Sequence, residues 1–120
     1  MIELSKTKYD LEERTACFGE DIIEFCRKLP QDAVSRPIIS QLVRSGTSVG
    51  ANYMEANAAS SKKDFRNKIF ICKKEAQETM HWLRMLAKCF PDKLGELRKF
   101  WQEAKELTLI FGKIISSSKK

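Results

Sequence analysis

The sequence predicts an all-α protein, an antiparallel up-down-up-down four-helix bundle, on three observations. Apolar residues recur at alternating steps of three and four along four separate stretches, the spacing that holds one stripe on one face of a helix. No stretch alternates polar and apolar residues as a half-buried strand would. The segments between the periodic stretches are short, which makes successive helices antiparallel neighbours.

Helices are expected over roughly residues 10–29, 37–59, 62–89 and 93–116 of one unit spanning 1–120. The first carries Leu11, Phe18, Ile22, Phe25 and Leu29, with Asp10 and Glu13 spaced as a capping box and Pro30 as its stop. The second opens near Pro37, a favoured first-turn residue, and lines up Ile38, Leu42, Val49 and Tyr53. The third opens at Ser61-Lys62-Lys63-Asp64 and carries the strongest pattern in the chain: Phe65, Ile69, Cys72, Ala76, Thr79, Leu83 and Leu86. After Cys89-Phe90-Pro91-Asp92 the fourth carries Leu94, Leu97, Trp101, Ala104, Thr108, Phe111 and Ile115, then a polar tail from Ser116 to Lys120. Gly95 in its first turn leaves the start open.

With 120 residues, 42% hydrophobic and 32% charged, the chain can bury one core and falls outside the disordered and membrane-embedded classes. The stretch Met1 to Lys6 lacks the apolar segment of a secretory signal, and no apolar run is long enough to span a bilayer. A cytoplasmic protein without a membrane partner is expected. Cys17, Cys26, Cys72 and Cys89 form no C-x-x-C pair and three of them sit among apolar helix positions, so small buried thiols are expected rather than disulfides or zinc ligands. A net charge of +6 favours a polyanionic partner without naming one.

Two helices look apolar on more than one face. Phe100, Leu107, Ile110 and Ile114 project away from the stripe through Trp101 and Phe111, and Ile71, Trp82, Met85 and Cys89 make a second stripe on the third helix. A seam between copies of the chain is the simpler way to cover them; the alternative is a broad core face shared by two neighbouring helices.

The second helix gathers Gln41, Arg44, Ser48, Asn52 and Glu55 beside its apolar stripe and contains Gly46 and Gly50, each costing about 1 kcal/mol against Ala in mid-helix. Close backbone approach and a polar network packed at a helix contact would offset that cost; the plainer reading is a weakly helical solvated face. On the third helix Lys62, Lys63, Arg66, Lys73, Lys74, Arg84 and Lys88 lie opposite or flanking the core stripe, a line of cations that suits a phosphate backbone. A solvated face is again the plainer reading, and the sequence has no zinc finger, RNA-recognition signature or interleaved aromatic platform to support nucleic acid.

Enzyme chemistry is not expected. Glu78-x-x-His81 has the spacing of a di-metal carboxylate site, but such a site needs that motif from two helices and the chain has one histidine. No glycine-rich elbow, phosphate loop or orienting group accompanies a nucleophile. No metal or cofactor is expected.

The run Gln41-Leu42-Val43-Arg44-Ser45-Gly46-Thr47-Ser48-Val49-Gly50-Ala51-Asn52-Tyr53-Met54-Glu55-Ala56 resembles the signature of the bacterial four-helix bundles known from intervening sequences in 23S ribosomal RNA genes. Glu75 to Leu83 resembles that family's third-helix motif, and helix order and length agree over nearly the whole chain. Carried over by position, the motif residues are Arg44, Ser45, Ser48, Asn52 and Glu55; Ala56 stands where many relatives have glycine, so the helix end is expected to differ locally. Members of the family are similar to the accessory protein of diversity-generating retroelements, a basic, barrel-like homopentamer that works with a reverse transcriptase and nucleic acid. The resemblance therefore implies a homo-oligomer, a pentamer, and association with RNA, DNA or a nucleic-acid enzyme. Two functions follow as expectations: a nucleic-acid-binding accessory, or an interaction scaffold whose basic surface docks an acidic protein.

Overall fold

The computed structural model describes residues 10–118; the segment read for a secretory signal and the last two lysines lie outside the described residues. Four helices follow in order: α1 (Leu11–Arg27), α2 (Ser35–Asn57), α3 (Lys62–Cys89) and α4 (Leu94–Ser118), the last entered through a 3-10 turn at Pro91–Lys93. The bundle is thus all-α among the described residues.

Cross-helix contacts run in opposite directions at each step. Thr15 lies against Gly50 and Ile22 against Gly46 between α1 and α2. Arg44 reaches Glu78, and Glu55 reaches Lys68, between α2 and α3. Met80 meets Thr108, and Lys73 meets Gly112, between α3 and α4. Each neighbouring pair is therefore antiparallel. The bundle is flattened, 47 × 32 × 19 Å, because α1 and α4 approach each other at few points. Their contacts are the Arg14 fork onto Glu103 and Glu106 and the Phe25–Phe100 ring pair, 5.4 Å between centroids.

The helix starts differ from the sequence expectation in instructive ways. Asp10 makes no side-chain cap bond to α1, so the expected box with Glu13 is not formed. At α2 the cap lies further upstream than Pro37: Asp32 Oδ1 accepts from the backbone N–H of Ser35 (2.8 Å) and Val34 (2.9 Å), while Ser35 Oγ accepts from the Asp32 N–H (3.1 Å). That reciprocal pair starts the helix early and places Pro37 in its third position, where a missing N–H still costs nothing. These bonds to the carboxylate hold Asp32 below the usual carboxylate pKa. At α3 the expected cap is present, Ser61 Oγ accepting from the Asp64 N–H at 3.0 Å.

Leu11, Ile22, Leu42, Val49, Ile69, Leu83, Leu86, Leu107 and Phe111 are the fully enclosed centre of the core. On α2 the buried neighbour of Leu42 is Ile39, with Ile38 only half-buried. On α4 the buried sector is centred on Ala104, Leu107 and Phe111, so the stripe steps by three from Ala104 to Leu107 and not by four to Thr108. Two expectations are corrected by that rotation. Leu107, read as part of a surface seam, is fully buried in the chain's own core, and Trp101, read as core, is turned out to solvent.

Candidate nucleic-acid interface

The α2 signature serves two helix contacts at once. On one side its glycines admit α1: a Cβ on Gly46 would stand 2.5 Å from Ile22 Cδ1, and one on Gly50 would stand 3.3 Å from the Thr15 backbone. Gly19 completes the close approach from α1, where a Cβ would stand 3.3 Å from Thr47 Cα. On the other side the hydroxyls of Ser45 and Thr79, both buried, are hydrogen-bonded at 2.9 Å, and Thr79 also reaches the Glu75 carbonyl at 2.8 Å. Above them Arg44 donates to Glu75 (3.2 Å), to Glu78 and to Gln41 (2.9 Å), and Glu78 also accepts from Trp82 Nε1 at 2.9 Å. The Trp82 donor, then Arg44, keep Glu78 below its ordinary pKa.

The remaining signature residues are less enclosed. Ser48 donates to the Arg44 carbonyl (2.6 Å) and Asn52 to the Ser48 carbonyl (2.9 Å), both within their own helix, while Glu55 pairs with Lys68 (2.7 Å) in the open. The polar stripe thus packs at its Arg44–Ser45 end and is solvated at its Glu55 end. These ion pairs also occupy the carboxylate of the Glu78-x-x-His81 spacing, and His81 is exposed with its ring edge-on to Trp82. The Cys26 and Cys72 thiols are buried, which pushes their pKa up to about 11 and about 12.

The cations of α3 divide by position. Lys62, Lys63, Lys74, Arg84 and Lys88 are exposed, whereas Arg66 and Lys73 are half-buried, Lys73 lying along Gly112 of α4. At 100° per residue the three carboxylates of α3, Asp64, Glu75 and Glu78, all fall on its α2 side, where Glu75 and Glu78 hold Arg44. The three carboxylates of α4 behave in the mirror sense: Glu96, Glu103 and Glu106 all line the groove beside α1, and the latter two hold Arg14. Between these two acid-bearing flanks, the outward face shared by α3 and α4 carries Arg66, Lys73, Arg84 and Lys88 from α3 and Arg98 and Lys105 from α4, with no carboxylate among them.

The expected seam residues on the two helices are half-buried for the most part. Trp82, Phe100, Ile110 and Ile114 pack against the chain's own core, and Ile71 and Met85 are likewise half-covered. The large apolar groups of these helices that do face solvent are others: Phe70 is 60% exposed, Leu109 64%, Leu94 38% and Trp101 36%, and Phe70, Leu109 and Trp101 lie on the basic α3–α4 face. Sequence reasoning missed the α4 half of this face. Plotting the charges of both helices on one wheel would have found it, because the signal is where carboxylates are absent.

The groove between α1 and α4, about 990 Å³, has an apolar floor of Phe18, Phe25 and Phe100 under a rim dominated by carboxylates. The molecule is therefore acidic on one long side and basic on another.

Comparison with known proteins agrees with the fold and sharpens the lineage. A family model described as 23S rRNA-intervening sequence protein matches residues 7–113. Among solved structures, a protein of unknown function from the S23 ribosomal protein family of Bacteroides thetaiotaomicron VPI-5482 is similar, with 31% sequence identity and a TM-score of 0.79 over 87% of this chain and 96% of that one. No curated protein matches the sequence.

Proposed function

The chain belongs to the 23S rRNA-intervening sequence protein family, and from that membership we propose a non-enzymatic, cytoplasmic, homo-oligomeric bundle that binds nucleic acid or a ribonucleoprotein through the outward α3–α4 face. One observation carries the reading: the carboxylates of α3 and α4 are drawn to the flanks, leaving a face of cations with none of the acidic residues that usually intersperse a merely solvated surface. Cations so arranged release counterions when they meet phosphates, and repetition around an assembly of five copies multiplies the release. The likeness to the retroelement accessory protein supports that copy number.

Mass in solution, followed by light scattering across a salt series with and without a short RNA, tests both halves. A multimer that gains mass with RNA at low salt, and fails to do so in the Arg84→Glu/Lys88→Glu variant with its assembly intact, supports the proposal. A monomer sinks the assembly, and indifference to RNA, DNA and heparin alike sinks nucleic-acid binding. Binding to acidic proteins without binding to RNA would favour the scaffold reading.

A further inference from the structure

We propose that the α3–α4 face takes single-stranded nucleic acid, with Phe70 and Trp101 as base-stacking platforms near its two ends; the proposal rests on the nucleic-acid reading above. Two aromatic rings stand open on this face, and each has a cation over it: Lys73 Nζ lies 5.9 Å from the Phe70 centroid and Lys105 Nζ 5.6 Å from that of Trp101. A strand that lays a base on either ring would bring its phosphates within reach of these cations, the pairing of π surface and positive groove by which single strands are held.

The register between the helices fixes the spacing. Lys73 opposite Gly112 and Met80 opposite Thr108 place Trp101 level with about residues 84–87 of α3, so Phe70 and Trp101 stand roughly 20–25 Å apart along the bundle at 1.5 Å per residue. Leu109 lies between them, about 12 Å from Trp101 along α4, and offers further apolar surface to an unpaired base. Arg84, Lys88 and Arg98 fall near the Trp101 end and supply charge.

Two other occupants fit less well. A duplex presents phosphates and groove edges but no base faces, so it would use the cations and leave both rings wet. A second copy of this chain would cover the rings, but protein interfaces deplete charge at their centre, and here a lysine sits against each ring.

The test is a fluorescence-anisotropy titration of the full chain at fixed low salt. The probes are a short labelled single-stranded RNA, the DNA strand of the same sequence, and the corresponding duplexes. Phe70→Ala and Trp101→Ala should each weaken single-strand binding roughly tenfold, the scale of one lost stacked base, while duplex binding is unchanged. Phe70→Tyr should bind as the wild type does. Both alanine variants replace exposed side chains, and circular dichroism with light scattering checks that fold and assembly persist. If single strands and duplexes bind alike and neither alanine variant matters while Arg84→Glu/Lys88→Glu still abolishes binding, stacking is refuted and the broader nucleic-acid reading stands. If the wild type binds no probe, both fall. If either alanine variant changes the mass of the assembly, the rings are part of a self-interface and the proposal is overturned.

Discussion

Replacing Gly46 by alanine should destabilise the protein even though it improves helix propensity. Alanine gains about 1 kcal/mol over glycine in a helix interior. Its methyl would arrive 2.5 Å from Ile22 Cδ1, and Ile22 is fully enclosed, so the displaced methyl has core atoms on every side. Overpacking of this kind costs about 1–3 kcal/mol, which leaves a net loss of up to about 2 kcal/mol, or several degrees in Tm for a chain of this size. Gly112 supplies the control, since a Cβ there meets only Lys73 Cε and Nζ at 3.9 and 4.0 Å, so Gly112→Ala should raise stability by about 1 kcal/mol. Ile22→Val removes the one clashing atom. In a double-mutant cycle read by urea denaturation, Gly46→Ala combined with Ile22→Val should therefore turn neutral or stabilising relative to Ile22→Val alone, with a coupling of about 1–3 kcal/mol. Equal stabilisation by Gly46→Ala and Gly112→Ala, or a coupling near zero, would refute the close approach of α1 to α2.

Arg44→Ala should cost about 1 kcal/mol by thermal melting, at the upper end for a partly exposed pair because one guanidinium clasps both Glu75 and Glu78; Glu55→Ala, whose Lys68 partner is open to solvent, should leave Tm close to the wild type. Glu78 has a lowered pKa in the fold, so its contribution is present above the unfolded value of about 4.3 and fades as pH falls through the lower folded value; Glu78→Gln should remove that acid-dependent portion in urea titrations below pH 5, and an unchanged acid limb would count against the clasp. Thr79→Val should cost about 1 kcal/mol in urea denaturation by breaking the buried hydroxyl pair with Ser45; a value near zero would show that the pair does not hold α2 to α3. Thiol-reagent kinetics should show Cys26 and Cys72 reacting only through unfolding, and labelling at the rate of an open thiol would contradict their burial.

Most of the fold was legible because heptad spacing is a direct record of which helix face is dry. The α3 stripe shows this best: Ile69, Cys72, Ala76, Thr79, Leu83 and Leu86 are all buried, a threonine and a cysteine included. The fourth helix was misjudged by one step, because Trp101 and Leu107 are both large and apolar and only the position of the neighbouring helices decides which goes inside. The α2 cap was missed because Pro37 is so strong a start signal that it masked Asp32 and Ser35, which form the actual pair. The dual use of the α2 signature, glycines toward α1 and the Ser45 hydroxyl toward α3, was foreshadowed by the poor helix formers it contains. The basic face was half legible: its α3 cations were visible as a run, whereas its α4 cations and its two rings acquire meaning only when the helices stand side by side.

The sparse meeting of α1 with α4 bears on how the molecule breathes. A closed bundle gives every helix two full neighbours, but here α1 is secured mainly along α2, with the Arg14 fork and one ring pair as its outer fastening. The chain is thus a short linear array whose end elements carry less of the cooperative free energy than its middle. Amide hydrogen exchange should follow that gradient, α1 losing its protection first and the α2–α3 hairpin last, so the signature-bearing hairpin is the slow-exchanging nucleus on which the outer helices open and reclose.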